Sequence, residues 1–271
     1  MSEQHKHERP YAQPFWKLKS TIEKIPGAFR LYKFITSRTG EGKIYTVSHG
    51  PVSGLRWKRY NRLPYWYHIG LYEPQLTHYL QRHLRPNDTY WDLGAHAGYH
   101  AITAARIVGP QGSVVAVEPD PEIAAIMHEQ IALNELPNIT VLPEAVADTV
   151  GAVTFMRSDL DSRTSAIAGI GGEKGTAAPL EVPTTTIDTL SEQYPAPHIL
   201  KMDIEGAEIF ALPGGELLLS GSHKPAHLLI GVHGEHARRF TMEFVQDHGY
   251  QLIAVPGFEP EVNLVAVLRA A

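Results

Sequence analysis

Acidic side chains stand at the ends of two apolar segments that follow one another in the chain. The first segment ends at Asp92, and residues 94–98 form a short turn bounded by glycines. A helix rich in small residues comes next, and a second apolar segment, residues 114–117, ends in Glu118. This order of strand, glycine turn, helix and strand predicts a βαβ unit that binds a nucleotide. A carboxylate at the end of the second strand is placed to accept hydrogen bonds from two ribose hydroxyls.

The turn itself indicates which nucleotide is bound. Its sequence, Gly-Ala-His-Ala-Gly, lacks the middle glycine of the Gly-x-Gly-x-x-Gly fingerprint that cradles a pyrophosphate. Asp92 would repel a pyrophosphate but attract the ammonium of an amino-acid group. A ligand with an adenosine half and a cationic half fits Asp92 and Glu118 better than NAD does, and S-adenosylmethionine is such a ligand. Two alternatives stay open: a nicotinamide-dinucleotide-dependent oxidoreductase, whose ribose Glu118 would also suit, and a non-catalytic nucleoside-binding protein.

Residues 198–208 form a second segment that contains possible catalytic or ligand-binding side chains. Its sequence is His-Ile-Leu-Lys-Met-Asp-Ile-Glu-Gly-Ala-Glu. Here a strand delivers Asp203 to its carboxyl end, and a glycine breaks the strand before a helix. The next apolar strand, residues 228–232, leads to His233. Ligands of parallel sheets lie at the carboxyl ends of the strands, so both side chains are candidates for the reacting end of the site.

The elements that position these residues follow from the spacing of apolar side chains. A helix with proline in its first turn begins after Glu73, which serves either the helix dipole or the ligand's amino group. A third strand, residues 139–142, precedes Glu144 and Ala145, which are predicted to lie at the edge of the adenine. Residues 151–156 read as a further strand. Residues 158–179 are rich in Gly, Ala, Ser and Thr and predict either a lid or a disordered segment. A hairpin over residues 251–255 and 263–268 closes the sheet.

Amino-acid composition limits the classes of protein to which the chain can belong. The chain has 271 residues, 43% of them hydrophobic and 20% charged, which is typical of a soluble α/β domain with an extension. A net charge of −5 argues against a nucleic-acid partner, and the lack of cysteine excludes disulfides and Cys-ligated zinc. Without an apolar signal region or a run of about 20 apolar residues, a cytoplasmic enzyme with no membrane span is expected.

The N-terminal part is read as an extension. Residues 1 to about 40 predict an arm that packs on the main domain or on a partner subunit of a homo-oligomer. Alternating residues between 43 and 60 predict a hairpin, which an aromatic and basic stretch follows. The expected division is therefore an arm and hairpin extension over residues 1–69 and an S-adenosylmethionine-binding domain over residues 70–271.

Several of these segments together resemble one family. They are Gly-Leu-Tyr-Glu-Pro (70–74), Trp-Asp-Leu-Gly-Ala-His-Ala-Gly-Tyr (91–99), Val-Glu-Pro-Asp-Pro (117–121), Leu-Asn (133–134), Ala-Val (145–146) and Leu-Lys-Met-Asp-Ile-Glu-Gly-Ala-Glu (200–208). In this order they are similar to the FkbM family of S-adenosylmethionine-dependent methyltransferases, and the last segment makes the resemblance specific. It implies an α/β, Rossmann-like class I methyltransferase fold, whose seven-stranded, mostly parallel sheet has one antiparallel strand and helices on both faces. One departure is Gly231, where the family often carries a glutamate.

The resemblance also implies O-methylation of a hydroxyl on a sugar or natural-product small molecule. The predicted cofactor-binding residues are Glu73, Asp92, Gly94, Ala95, His96, Gly98, Tyr99, Glu118, Pro119, Glu144, Ala145 and Asp203. His96 is expected to contact the ligand through its backbone N–H, and His100 is expected to be structural.

Two mechanisms remain for the catalytic residues Asp203 and His233. In the first, His233 is the general base and Asp203 orients the ligand or acceptor. In the second, Asp203, Glu205 and His233 bind Mg²⁺ or a similar ion, which holds the acceptor oxygens. A simpler interpretation is that Glu205 and Glu208 place negative charge at the start of the following helix, where it stabilises the helix dipole. This interpretation is preferred for Glu208.

Overall fold

The computed structural model describes residue 27 and residues 40–50, 52–157, 166–167, 179–259 and 262–269. The predicted arm lies almost entirely outside this part of the chain. Two short antiparallel strands, β1 (Ile44–Thr46) and β2 (Arg56–Lys58), confirm the predicted hairpin. Trp57 packs with Tyr67, Tyr99 and Ile123 in one hydrophobic cluster, so the hairpin lies against the helices that contain Tyr99 and Ile123. The division of the chain at residue 69 stays a prediction.

A seven-stranded sheet forms the centre of the molecule. Its strands are β3 (Thr89–Leu93), β4 (Ser113–Val117), β5 (Ile139–Leu142), β10 (Ile199–Met202), β11 (His227–Gly231), β12 (Tyr250–Ile253) and β13 (Asn263–Leu268). They lie in the order β12-β13-β11-β10-β3-β4-β5, and β13 is the one strand of this sheet that runs antiparallel to the other six. This arrangement confirms the predicted mostly parallel sheet with one reversed strand and a terminal hairpin.

Helices cover both faces of this sheet. They are α1 (Pro74–His83), α2 (Tyr99–Val108), α3 (Pro121–Leu133), α4 (Ile187–Gln193), α5 (Glu208–Ala211), α6 (Glu216–Ser220) and α7 (Glu235–Asp247). Successive residues of a strand point to opposite faces, and here they enter different hydrophobic clusters: Trp91 packs with α4 to α7, and Tyr90 packs with α1 and α2. The predicted helices on both faces are therefore confirmed. No helix among the described residues is long and apolar enough to cross a bilayer.

The segment after Asp203 differs in detail from the prediction of one helix. Residues 208–220 form two short helices, α5 and α6, separated by a 3-10 turn over Pro213–Gly215. At Gly214 a side chain would overlap the carbonyl oxygen of Ala147. The interruption therefore lets the backbone pack directly on the backbone of Ala147 and Asp148.

A second, four-stranded sheet stands beside the first. It contains β6 (Ala145–Val146), β7 (Gly151–Met156), β8 (Ala166–Ile167) and β9 (Leu180–Thr185), in the order β6-β9-β7-β8. The predicted strand over residues 151–156 is confirmed as β7. The predicted lid over residues 158–179 lies outside the described residues except for β8 and residue 179.

Candidate active site

A cavity of about 360 Å³ lies at the carboxyl ends of the parallel strands, which is the size and place of a small-molecule site. Twelve residues of the predicted site line it: Glu73, Gly94, Ala95, His96, Tyr99, Glu118, Pro119, Glu144, Ala145, Asp203, Glu205 and His233. Asp92 and Gly98 do not line it. Twelve of the predicted residues thus share one cavity, and Asp92 and Gly98 have other surroundings.

Glu118, at the end of β4, forms the floor of one half of the cavity. It is buried, and its two carboxylate oxygens accept hydrogen bonds from the backbone N–H groups of His96 and Asp120, at 2.8 and 3.0 Å. Burial raises the pKa of Glu118 to about 7, although these two bonds lower it. The expected contact of the His96 N–H with a ligand is therefore wrong, because Glu118 takes that donor. Each carboxylate oxygen can still accept a further hydrogen bond, as two ribose hydroxyls require.

The two glycines of the turn have different roles. Gly94 has φ +78°, and a side chain there would overlap the carbonyl oxygen of Asp203, so β3 and β10 approach closely at their ends. Gly98 has φ +83°, and a Cβ there would lie 2.6 Å from Cγ of Met127 on α3. The close approach at Gly98 is thus to a helix. Gly98 does not line the cavity, and its predicted contact with the cofactor stays a prediction.

Asp92 does not face the cavity. Its side chain is fully buried, and its Oδ1 lies 2.9 Å from Nζ of Lys201. The expectation that Asp92 attracts the ligand's ammonium is therefore corrected, because an internal cation already neutralises the carboxylate. Lys201 is the neighbour of Asp92 across the parallel strands, and its role was missed. The signal in the sequence was a lysine inside an otherwise apolar strand, two residues before Asp203.

Glu73 and His100 form a second hydrogen-bonded pair in the wall. Glu73 precedes α1 with φ +38° and makes no capping hydrogen bond with its side chain; its Oε2 lies 2.9 Å from Nε2 of His100. Burial alone would raise the pKa of Glu73, but the hydrogen bond and charge of His100, with Lys201, lower it to about 2. A permanently charged carboxylate facing the cavity suits the ligand's amino group. His100, expected to be structural, also lines the cavity.

His233 lies two residues after β11, among three carboxylates. Its Nδ1 is 3.0 Å from Oε1 of the fully buried Glu208, and its Nε2 is 3.6 Å from both Asp203 and Glu205. Burial lowers the pKa of His233, but the hydrogen bond to Glu208 and the charges of all three carboxylates raise it to about 9. For Asp203, burial is the main cause of a raised pKa. The imidazole is therefore a strong base held in one orientation.

Glu208 was expected only to charge the start of a helix. Its Oε1 also lies within 3.3 Å of the backbone N–H groups of Ile204 and Gly206, so one carboxylate holds both this loop and His233. At Gly231 a Cβ would lie 2.5 Å from Oδ1 of Asp203. The glycine that replaces the family's frequent glutamate thus leaves the space that the Asp203 carboxylate occupies.

The structure brings together a different set of possible metal ligands from the predicted one. Among the described residues, the one group with ligand atoms within 4.8 Å of one another is Asp203, Glu208 and His233, and Glu205 is not part of it. Oε1 of Glu208 already accepts hydrogen bonds from the backbone and lies against the imidazole. Binding a metal through that oxygen would cost these contacts, so the residues present fit Mg²⁺ poorly.

A further wall of the cavity is formed by residues that follow β4 and β5. Pro119 follows β4, Glu144 follows β5 and Ala145 begins β6. Phe155 on β7 and Ile167 on β8 complete this wall. Sequence reasoning missed these two residues because only the pairing of the second sheet brings them to the end of the first.

Comparisons with known proteins agree with this geometry. The model of the methyltransferase FkbM domain matches residues 92–252, which is more than half of the chain. The hexuronic acid methyltransferase AglP of Haloferax volcanii is 27% identical over 145 residues, which are 52% of this chain and 56% of that protein. The protein-L-isoaspartate O-methyltransferase of Ignicoccus hospitalis is 39% identical over 59 residues, 22% of this chain and 28% of that protein.

A solved structure, that of the methyltransferase FkbM from Methylobacillus flagellatus KT, has a TM-score of 0.49 and 18% identity and covers 70% of this chain and 50% of that one. The chain therefore spans little more than half, at most, of the relatives named here. The family match, the strand order and the cavity at the strand ends lead to one assignment. The chain belongs to the FkbM family of S-adenosylmethionine-dependent methyltransferases.

Proposed function

We propose that the protein transfers the methyl group of S-adenosylmethionine to a hydroxyl of a sugar or natural-product small molecule. The observation that carries this proposal is His233, a basic imidazole that faces the cavity and is oriented by the buried carboxylate of Glu208. A hydroxyl needs a proton acceptor as it attacks a methyl group, whereas an already ionised acceptor does not. The similarity to a hexuronic acid methyltransferase supports a carbohydrate as the acceptor.

The lining of the cavity supports S-adenosylmethionine as the cofactor. Glu118 would bind the ribose, and Pro119, Ala145 and Phe155 would enclose the adenine. The charged half of the cavity, which includes Glu73, would hold the amino-acid group. When bound, S-adenosylmethionine supplies an electrophilic methyl group on a positively charged sulfur.

The chain's own residues then have the task of positioning and of moving one proton. Asp203 would orient the acceptor hydroxyl, and Nε2 of His233 would accept its proton as the carbon–oxygen bond forms and the carbon–sulfur bond of the methyl donor breaks, with S-adenosylhomocysteine as the leaving product. Glu208 keeps the imidazole in place through Nδ1 and stabilises the imidazolium that results. In this proposal Glu205 adds negative charge beside the imidazole and is not a metal ligand.

Turnover of a panel of acceptors tests this proposal, with release of S-adenosylhomocysteine as the measurement. The His233→Gln variant is expected to lose a factor of about 10² or more in turnover while it binds S-adenosylhomocysteine as the wild type does. The matched control is His236→Gln, an exposed histidine of the same segment. Unchanged turnover in His233→Gln would show that this residue is not the base.

The alternatives give different results in the same assays. Activity that EDTA abolishes and Mg²⁺ restores would favour the mechanism with a metal at Asp203, Glu205 and His233; full activity after EDTA treatment is expected. Thermal stabilisation by NAD alone, and not by S-adenosylhomocysteine, would favour an oxidoreductase. A protein that binds S-adenosylhomocysteine but methylates no acceptor of any class would be a nucleoside-binding protein.

A further inference from the structure

Lys201 is the one lysine or arginine among the described residues that line the cavity. Only 8% of its side chain is exposed, although it lies near the end of β10, beside the turn that holds the cofactor. Its Nζ lies 2.9 Å from Oδ1 of Asp92 and donates a hydrogen bond of 2.9 Å to the carbonyl oxygen of Gly94. The ammonium of Lys201 therefore links the end of β10 to the end of β3, its neighbour in the sheet.

This arrangement does more than neutralise Asp92. The carbonyl of Gly94 belongs to the turn, and Gly94 itself packs against the backbone of Asp203. A lysine ammonium has three donors, and two of them are directed at Asp92 and at Gly94. The third donor remains for the cavity that the side chain lines.

The charges of the cofactor indicate what this donor binds. S-adenosylmethionine has one anionic group, the carboxylate of its amino-acid half. The three histidines in the wall are poor partners for it, because each imidazole already has a neighbour. The His96 Nδ1 lies 2.9 Å from the hydroxyl of Tyr67, His100 is paired with Glu73, and His233 lies among three carboxylates. We infer that Lys201 is a cofactor-binding residue, which fixes the glycine turn and donates a hydrogen bond to the carboxylate of the methyl donor's amino-acid half.

The inference rests on the proposed cofactor, and its test uses binding in place of activity. Two nucleosides are compared: S-adenosylhomocysteine, which has the amino-acid half, and 5′-methylthioadenosine, which lacks it. The variants are Lys201→Met, Asp92→Asn and the double variant of both. Lys201→Met alone leaves a buried unpaired carboxylate and is expected to lower the unfolding temperature. The double variant removes both charges and is expected to recover most of that loss.

The double variant is expected to bind S-adenosylhomocysteine roughly tenfold or more weakly than the wild type, which is the range for a charge-assisted hydrogen bond. Its affinity for 5′-methylthioadenosine is expected to stay unchanged. Asp92→Asn, which keeps the lysine, is expected to keep the wild-type preference between the two nucleosides. Isothermal titration calorimetry measures each affinity, and thermal unfolding reports the fold of each variant.

Two outcomes would overturn the role of Lys201 and leave the methyl donor in place: wild-type affinity of the double variant for both nucleosides, or an equal loss for both. An equal loss would mean that the lysine only maintains the fold of the turn. A wild-type protein that binds neither nucleoside would overturn the proposed cofactor together with the role of Lys201.

Discussion

The proposed recognition of the nucleoside depends most on Glu118. Its carboxylate accepts the N–H groups of His96 and Asp120, so both oxygens are fixed in direction before a ligand arrives. In Glu118→Gln the new amide N–H₂ would face one of these N–H donors, and one ribose contact would be lost. We expect S-adenosylhomocysteine to bind about 10- to 100-fold more weakly, as for loss of a hydrogen bond to a charged group.

Titration calorimetry checks this expectation. Glu192→Gln, a change at an exposed position that does not line the cavity, is the control for removal of a negative charge. Equal affinities of Glu118→Gln and the wild type would contradict a contact between Glu118 and the ribose.

The proposal that His233 is the general base leads to a prediction about pH. Its pKa is raised to about 9, so at pH 7 roughly 1% of the free enzyme has the neutral imidazole that can accept a proton. The kcat/KM is therefore expected to rise with pH, by about tenfold per unit, and to level off near pH 9. In Glu208→Gln the hydrogen bond to a charged partner is lost, and the plateau should begin at a lower pH.

The measurement is kcat/KM between pH 6 and 10 for both proteins, with binding of S-adenosylhomocysteine as a check on the fold. A plateau at the same pH in the wild type and in Glu208→Gln would mean that Glu208 does not set the basicity of His233. A rate that is independent of pH over this range would contradict His233 as the base.

The turn after β3 packs so closely against the backbone at the end of β10 that one added methyl group would break the contact. In Gly94→Ala the new Cβ would overlap the carbonyl oxygen of Asp203, and alanine would also have to adopt φ +78°. Gly42 has a similar φ of +72°, but no atom lies within 4 Å of the position that a Cβ would take there, so Gly42→Ala reports the backbone strain alone. That strain costs about 1–2 kcal/mol.

Gly94→Ala is expected to lose more free energy of unfolding than Gly42→Ala and to weaken cofactor binding, because β3 and β10 must separate. Urea denaturation and calorimetry measure the two effects. Equal losses in the two variants would show that the ends of these strands can separate without cost.

Elements with a strong local signal were predictable from the sequence. The βαβ unit, the helix after Glu73 and the strand that ends before Asp203 each depend on the spacing of neighbouring residues. The site residues that were missed depend on register and on packing between distant segments. Lys201 meets Asp92 because β10 lies beside β3, and Phe155 reaches the cavity because β7 joins a second sheet. No short-range pattern contains that information.

For the whole molecule, two histidines that do not line the cavity contribute to the response of stability to acid: His68 is buried and His227 is partly buried. Burial, with the charges of His83 and His198, lowers the pKa of His227 to about 4. Burial, with the charge of Arg59, lowers that of His68 to about 4 as well. In the unfolded chain a histidine has a pKa of about 6.5. Between these values the unfolded state binds more protons, so these two groups make stability fall as pH decreases from about 6.5 to about 4.

His227 offers a direct test of this linkage. Its Nδ1 lies 2.8 Å from the hydroxyl of Tyr79, and glutamine can keep a hydrogen bond there without a group that titrates in this range. The urea midpoint of the wild type is expected to fall between pH 7 and pH 5, and His227→Gln should show a smaller fall. His223→Gln, an exposed histidine, is the control and should keep the wild-type dependence. If His227→Gln and the wild type lose stability equally over this interval, the burial of His227 is not a source of acid sensitivity.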